Sequence, residues 1–215
     1  VAAYWLHMLA ISVFLFLIPL SKHMHLVMAV PNVFFHDTGP AAKMRPLATD
    51  EHGLAVPLEE LDIESFGVST YTQYTWRQLI DGWSCTSCAR CQDVCPAYAS
   101  GKGLNPMQVI HDVRDYANEH APVLLLGETP DETMMQRITD EAVWACTTCN
   151  ACVDVCPLYI EHVPKLTDLR RNAMMETMDY PEILNSAMGN IESASNPYGF
   201  GAVSYTHLTL PTISR

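Results

Sequence analysis

The first twenty positions, Val1 to Leu20, are an almost unbroken apolar run with no Asp, Glu, Lys or Arg. At about 1.5 Å of rise per residue, a helix of that length covers roughly the 30 Å of a bilayer core. The pattern therefore predicts a transmembrane helix, lengthened past Lys22 toward Val30. A signal peptide would carry its cations before the apolar run, whereas Lys22 follows it. Lys22, Lys43 and Arg45 beyond the helix put everything downstream on the cytoplasmic side of the cell membrane by the positive-inside rule.

Periodicity fades from Pro31 to Thr70, where Pro and Gly recur. That stretch reads as a linker whose one candidate element is a small hairpin turning near His52-Gly53. Helical patterning then dominates. Thr75, with Gln78 three positions on, opens a short helix through a capping box. Asn105-Pro106 pairs a capping residue with proline at the first helical position, and Met107, Ile110, Val113 and Ala117 share a face. Thr129-Pro130-Asp131-Glu132 reads as another helix start, with Met134 or Met135, Ile138 and Ala142 on its apolar side. Pro164 to Met178 and Pro181 to Ile191 complete the series. The expected fold is mainly α: residues 1–30 a membrane helix, 31–70 a linker, 71–201 an α-helical two-cluster domain, and 202–215 a tail without assignment.

A chain of 215 residues suits one ordinary domain plus an appendage. Its 24 acidic and 12 basic residues give a formal charge of -12, which argues against a nucleic-acid partner. Val1 in place of Met, and a tail from Val203 to Arg215 that continues no earlier pattern and resembles translated adapter sequence, suggest a piece of a longer protein.

The eight cysteines form an internal repeat, Cys85-Thr-Ser-Cys88-Ala-Arg-Cys91-Gln-Asp-Val-Cys95-Pro96 and Cys146-Thr-Thr-Cys149-Asn-Ala-Cys152-Val-Asp-Val-Cys156-Pro157. Three cysteines spaced by two residues let one tight loop wrap three corners of an iron-sulfur cubane, and a fourth before proline points toward the partner cluster. The reading is two [4Fe-4S] clusters, one held by Cys85, Cys88, Cys91 and Cys156, the other by Cys146, Cys149, Cys152 and Cys95. Zinc sites would show two separated pairs per metal rather than an unbroken run of four. No cysteine is left over for thiol chemistry, and there is no Gly-rich nucleotide loop. The chain therefore reads as an oxidoreductase part that conducts electrons between sites lying elsewhere, with no catalytic residue of its own.

Ionisable residues in a membrane helix are functional candidates. The 18 residues between His7 and His25 make about five turns and roughly 27 Å of rise, placing both on one face near opposite leaflets, with His23 about 160° away. Such a pair suits two b-type haems, each taking a second ligand from another helix. The alternative leaves His25 as an interfacial polar residue and His7 bonded to a neighbouring helix, and Pro19 would kink the shared face. Arg170 and Arg171 read either as charges near a reduced cluster or a docking surface, or as a solvated helix face. His111, His120 and His162 show no ligand spacing among themselves.

His7, the apolar run, Pro19-Leu-Ser-Lys22 and His25 resemble the last helix of the cytochrome b subunit of respiratory nitrate reductases and the related membrane subunit of heterodisulfide reductases. That resemblance implies haem ligation by His7 and His25. The stretch from Thr75 to Gly201 resembles the iron-sulfur subunit of heterodisulfide reductase and fused membrane proteins linking electron-transfer flavoprotein to menaquinone. The carrying residues are Trp144-Ala-Cys146-Thr-Thr-Cys149, Ile160-Glu-His162-Val-Pro164, Arg170-Arg171 and Asn196-Pro197-Tyr198-Gly199. The resemblance implies a soluble flavoprotein donor and the quinone pool as acceptor, or, as the rival, a disulfide substrate. The cysteine-rich repeats that follow in that family are not among these residues.

Overall fold

The computed structural model describes residues 1–21, 23–39, 44, 46, 47, 56, 57, 60 and 66–201. Lys22, Lys43, Arg45, the His52-Gly53 turn and the tail from Val203 onward lie outside them. Among the described residues every regular element is helical, and the chain divides into two compact units, residues 1–176 and 177–215.

The apolar N-terminus forms α1 (Ala2–Leu17), which buries none of its residues. The expected single helix does not continue through it. Pro19 lacks an N–H and its ring clashes with the carbonyl four residues back, and the chain tightens into a 3-10 turn at Ile18–Leu20. It extends at Ser21, whose φ is -130° and ψ 172°, and restarts as α2 (Met24–Phe34). With 16 residues in α1 and 11 in α2, no helix among the described residues is long and apolar enough to cross a membrane. The interruption lies between His7 and His25, so the shared-face argument that paired them does not hold in this geometry.

Thr75 caps α3 (Trp76–Ser84) with the reciprocal Gln78 bond read from the sequence. The first cysteine loop follows, carrying α4 (Arg90–Asp93) and then α5 (Pro96–Ala99), which the proline after Cys95 opens. Asn105 caps α6 (Pro106–Glu119), accepting from the N–H groups of Met107 and Gln108, and α7 (Ala121–Leu125) trails it. The helix expected from Thr129 begins later. Thr133 and Gln136 make the capping box of α8 (Met134–Ile138), and Thr139 at φ 72° separates it from α9 (Asp140–Ala145). The second loop holds α10 (Ala151–Asp154), followed by α11 (His162–Asn172), which runs into a π-helical turn at Ala173–Thr177. In the second unit, α12 (Ile183–Ala194) buries none of its residues, and Asn196 ties the turn after it through the N–H groups of Tyr198 and Phe200.

The core of the first unit gathers the apolar stripes of α6, α8, α9 and α11. Val109, Val113, Tyr116, Met134, Ile138, Ala142, Val143, Leu166 and Leu169 are buried there, and Cys95 sits among them. Gly67 closes this layer. At φ +74°, a Cβ would stand 2.2 Å from the Asp168 carbonyl oxygen, so only glycine lets the incoming chain lie against α11.

A buried charged cluster fastens α2, α3 and the start of α11 together. Arg77 donates to Asp81 at 2.9 Å and to Asn32, Lys165 donates to Asp81, and Glu161 lies 3.9 Å from Arg77. Burial alone would raise the Asp81 carboxyl, but Lys165 and Arg77 outweigh it and hold its pKa below the ordinary aspartate value.

Candidate metal centre

The two cysteine loops are one local structure used twice. Each cysteine of the second group follows its counterpart by 61 positions, 146 against 85 and 156 against 95. At that same offset Ser87 and Thr148 adopt φ 56° and 53°, and Ala89 and Asn150 adopt φ 62° and 60°. These left-handed residues bend the chain back on itself after each cysteine, which lets three sulfurs converge over so short a span. Ser87 N–H donates to Cys85 Sγ and Thr148 N–H donates to Cys146 Sγ, both at 3.4 Å. The turns α4 and α10 are also offset by 61 and pack against each other.

That packing brings cysteines of the two loops together. Cys85, Cys88, Cys91 and Cys156 line one cavity, with roughly 330 Å³ of empty space open to the surface, together with Met107, Ile160 and His162. The Cys91 thiol is pushed up to about 11, chiefly by burial and then by the neighbouring Cys85, Cys156 and Cys88, against a backbone bond from Gln92. Burial likewise pushes Cys152 up to about 12, with Cys146, Cys91, Cys149 and Cys95 adding to it. The cavity thus draws three cysteines from the first loop and Cys156 from the second, and Cys95 of the first loop neighbours Cys146 and Cys152 of the second. Among the described residues no three His, Cys, Asp or Glu side chains are drawn together closely enough to hold a single ion. A tetrahedral zinc needs its thiolate sulfurs only about 3.8 Å apart, as follows from a Zn–S length of about 2.3 Å. Four soft donors per tetrad, left-handed hinges and N–H groups turned to sulfur fit an iron-sulfur cubane.

Exposure is graded within each loop. Cys91, Cys95 and Cys152 are buried, Cys85, Cys146 and Cys156 half-buried, and Cys88 and Cys149 exposed. Burial raises the Cys156 thiol against the backbone N–H groups of Ile160 and Leu158, which bond to it.

Histidines without a role in the sequence reading, and Arg170, lie beside the cysteine loops. His111 on α6 places Nε2 3.0 Å from Ser87 Oγ and 3.7 Å from Cys85 Sγ. His162, the first residue of α11, is 2% exposed, and its Nδ1 has no hydrogen-bond partner. Burial pulls its pKa down to about 4, helped by Lys165 and opposed by Asp81. Arg170 turns inward to the second tetrad, donating to the carbonyls of Val143 at 2.6 Å and Cys146 at 2.5 Å while stacking 5.4 Å over Trp144. Arg171 instead pairs with Asp168 at 3.1 Å. His120 stays away from the tetrads and bonds Glu132 at 3.0 Å.

Of the two haem candidates, His7 is exposed on α1. His25 lines a cavity of about 810 Å³ with Pro19, Ser21, Met24, Trp83, Cys85, Thr86, Ser87, Arg114, Asp115 and Asn118. The structure therefore brings His25, but not His7, to the edge of the first tetrad.

Comparison with known proteins agrees with the cysteine geometry. Residues 77–157 match the 4Fe-4S dicluster domain. A protein of Syntrophomonas wolfei named EtfAB:quinone oxidoreductase is 33% identical over 92% of this chain and 29% of its own length. A protein of Chromohalobacter salexigens named probable membrane-anchored ferredoxin is 33% identical over 69% of this chain and 25% of its own. A polypeptide of the ferredoxin:CoB-CoM heterodisulfide reductase from Methanosarcina mazei is 34% identical over 48% of this chain and 53% of its own. The chain thus spans under a third of the first two relatives and about half of the third. No solved structure matches.

Proposed function

From a 4Fe-4S dicluster domain whose relatives are named oxidoreductases, we propose that this chain is the electron-conducting part of a membrane-bound iron-sulfur oxidoreductase. It would connect a soluble flavoprotein donor of the electron-transfer flavoprotein kind with the quinone pool. The observation that supports the proposal is a cavity lined by Cys85, Cys88 and Cys91 of the first loop together with Cys156 of the second. When bound, two [4Fe-4S] clusters supply a pair of adjacent one-electron sites.

The residues of the chain do the rest. Cys85, Cys88, Cys91 and Cys156 would hold one cluster and Cys146, Cys149, Cys152 and Cys95 the other. The exchanged fourth ligands keep the two loops locked together. Buried Cys91 and Cys152 keep the shared boundary dry, while exposed Cys88 and Cys149 bring each tetrad to the surface, where a partner can dock. The backbone N–H groups on Cys85, Cys146 and Cys156 withdraw charge from sulfur and favour the reduced state.

Attachment to a membrane is supported by α1, apolar on every side with no buried residue, and by the name of the Chromohalobacter relative. His25, which lines the cavity that also reaches Cys85, would help to hold a b-type haem, a group that supplies one-electron transfer. His7 would serve a second haem only if α1 and α2 straighten into one helix. The iron-sulfur part would face the cytoplasm.

The test mixes anaerobically reduced electron-transfer flavoprotein with the oxidised holoprotein and follows visible bleaching of the clusters, then adds a soluble menaquinone analogue and follows their reoxidation. Bleaching and recovery support the proposal, and clusters that neither accept from the flavoprotein nor pass electrons to quinone refute it. A second reading, the electron-transfer part of a disulfide reductase, is favoured by the heterodisulfide reductase relative. It predicts reduction of a disulfide in place of quinone.

A further inference from the structure

The first tetrad has a histidine on each of two flanks: His111, which also meets Ser87 Oγ at 3.0 Å, and His162, which also bonds the Ile160 backbone. His162 is buried to 2% exposure and lines the same cavity as Cys85, Cys88, Cys91 and Cys156. Its Nδ1 lacks any protein partner. Buried polar atoms are normally hydrogen-bonded, so a protonated Nδ1 calls for an acceptor that protein atoms do not supply. His111 approaches from α6, with Nε2 3.7 Å from Cys85 Sγ.

Both rings are held firmly. Glu161, next to His162, donates its backbone N–H to Asp81, and Lys165 one turn on donates to Asp81 and to the Glu161 carbonyl. Asn32 of α2 donates to the Leu158 carbonyl at 2.9 Å, fixing the segment between Cys156 and His162. Tyr116, one helical turn and a half beyond His111, is anchored through its hydroxyl on the Glu132 carbonyl at 2.6 Å. Around the second tetrad the corresponding polar group is Arg170, whose guanidinium is committed to backbone carbonyls.

We propose that His162 and His111 donate hydrogen bonds to the sulfur atoms of the cluster held by Cys85, Cys88, Cys91 and Cys156, and thereby raise its reduction potential. The inference rests on the two-cluster reading above. A neutral imidazole carries one N–H, so the bond to sulfur requires the tautomer that places the proton on His162 Nδ1 and on His111 Nε2. Reduction adds one electron and increases negative charge on sulfur. A hydrogen bond to a charged acceptor is stronger than one to a neutral acceptor, so the reduced state gains more than the oxidised. His162 and His111 act through the cluster's environment and are positioning residues, with no bond made or broken at either ring.

The experiment is a redox titration of the dithionite-reducible holoprotein, monitored by electron paramagnetic resonance, on the unchanged chain, His162→Leu, His162→Asn and His111→Leu. Iron is counted in each sample. His162→Leu should lower the potential of one cluster by about 59 mV, which is tenfold in a one-electron equilibrium, and leave the other cluster in place. His162→Asn keeps an N–H and should recover part of the shift, and His111→Leu should move the same cluster in the same direction. Full iron with neither potential moved, or with both moved equally, overturns the proposal and leaves the two-cluster reading standing. Loss of iron from both His162 variants also overturns it, assigning the residue to packing. An unchanged chain without iron would overturn the reading beneath it.

Discussion

Replacing Asp81 with Asn removes the one carboxylate that two buried cations share. In the folded chain the Lys165 side chain is 0% exposed and Asp81 1%, and Arg77 contacts the same carboxylate from the other side. After Asp81→Asn, Lys165 keeps only the Glu161 carbonyl at 3.0 Å, while Arg77 keeps Glu161 at 3.9 Å, Asn32 and the Phe35 carbonyl. An ammonium buried without its counter-charge costs about 3–5 kcal/mol, which at roughly 2–4 °C per kcal/mol for a chain of this size lowers the melting temperature by roughly 6–20 °C. The double variant Asp81→Asn with Lys165→Met removes charge from both sides and should recover most of the loss, because replacing a whole buried pair is far milder than breaking it.

The assay is thermal unfolding of the holoprotein followed by far-ultraviolet circular dichroism, with visible absorbance as a second probe of iron release. Asp81 is lowered in the folded state, so its contribution is complete above the ordinary aspartate value of about 3.9 and is lost as pH falls through the folded value. The gap between the unchanged chain and Asp81→Asn should therefore be flat from about pH 5 to about pH 8 and close only in more acid solution. A gap below about 1 kcal/mol, or a double variant less stable than the single one, would refute the reasoning.

Exchange of fourth ligands predicts that Cys156→Ser disturbs the same spectroscopic signal as Cys88→Ser, while Cys95→Ser disturbs the one altered by Cys149→Ser; grouping by sequence repeat would contradict it. At Ala89, φ 62° admits glycine readily but not a β-branched side chain, so Ala89→Gly should keep full iron and Ala89→Val should lose it faster in a chelator challenge. Thr133→Ala deletes the cap that accepts from Gln136 N–H and should cost about 1 kcal/mol in denaturant unfolding. Asn105→Ala should cost a similar amount and also speed iron loss, since Asn105 both caps α6 and donates to Gln92 in the first cysteine loop at 2.9 Å.

Local rules made much of this architecture readable. Thr75 with Gln78 and Asn105 with Pro106 act over three residues, so no distant contact could displace the helix starts they signal. The apolar positions Ile110, Val113, Ile138 and Ala142 are buried as their spacing required. The cysteine repeat was legible because a cubane imposes its own spacing on the chain. Elsewhere a competing local signal won. Thr133-x-x-Gln136 outdid Thr129-Pro130 as a helix start, because its reciprocal cap satisfies two N–H groups at once. At the N-terminus Pro19 was read as a kink within one long helix, and its missing N–H instead accompanies a full break into α1 and α2.

What could not be read were meetings across long separations. Arg77 and Asp81 are one turn apart and visible as a pair, but nothing in the sequence brings Lys165 or Asn32 to them. His111 and His162 have no ligand spacing between them because they meet the first tetrad from different helices. Their signal exists only once the loops are folded.

The metal content and reduced spectrum of the holoprotein purified without oxygen most directly test the two-cluster reading. It predicts about eight iron and eight acid-labile sulfide per chain, with dithionite reduction giving the electron paramagnetic resonance spectrum of two magnetically interacting [4Fe-4S] clusters. A protein that binds zinc, or that contains neither iron nor sulfide and stays silent on reduction, would contradict it.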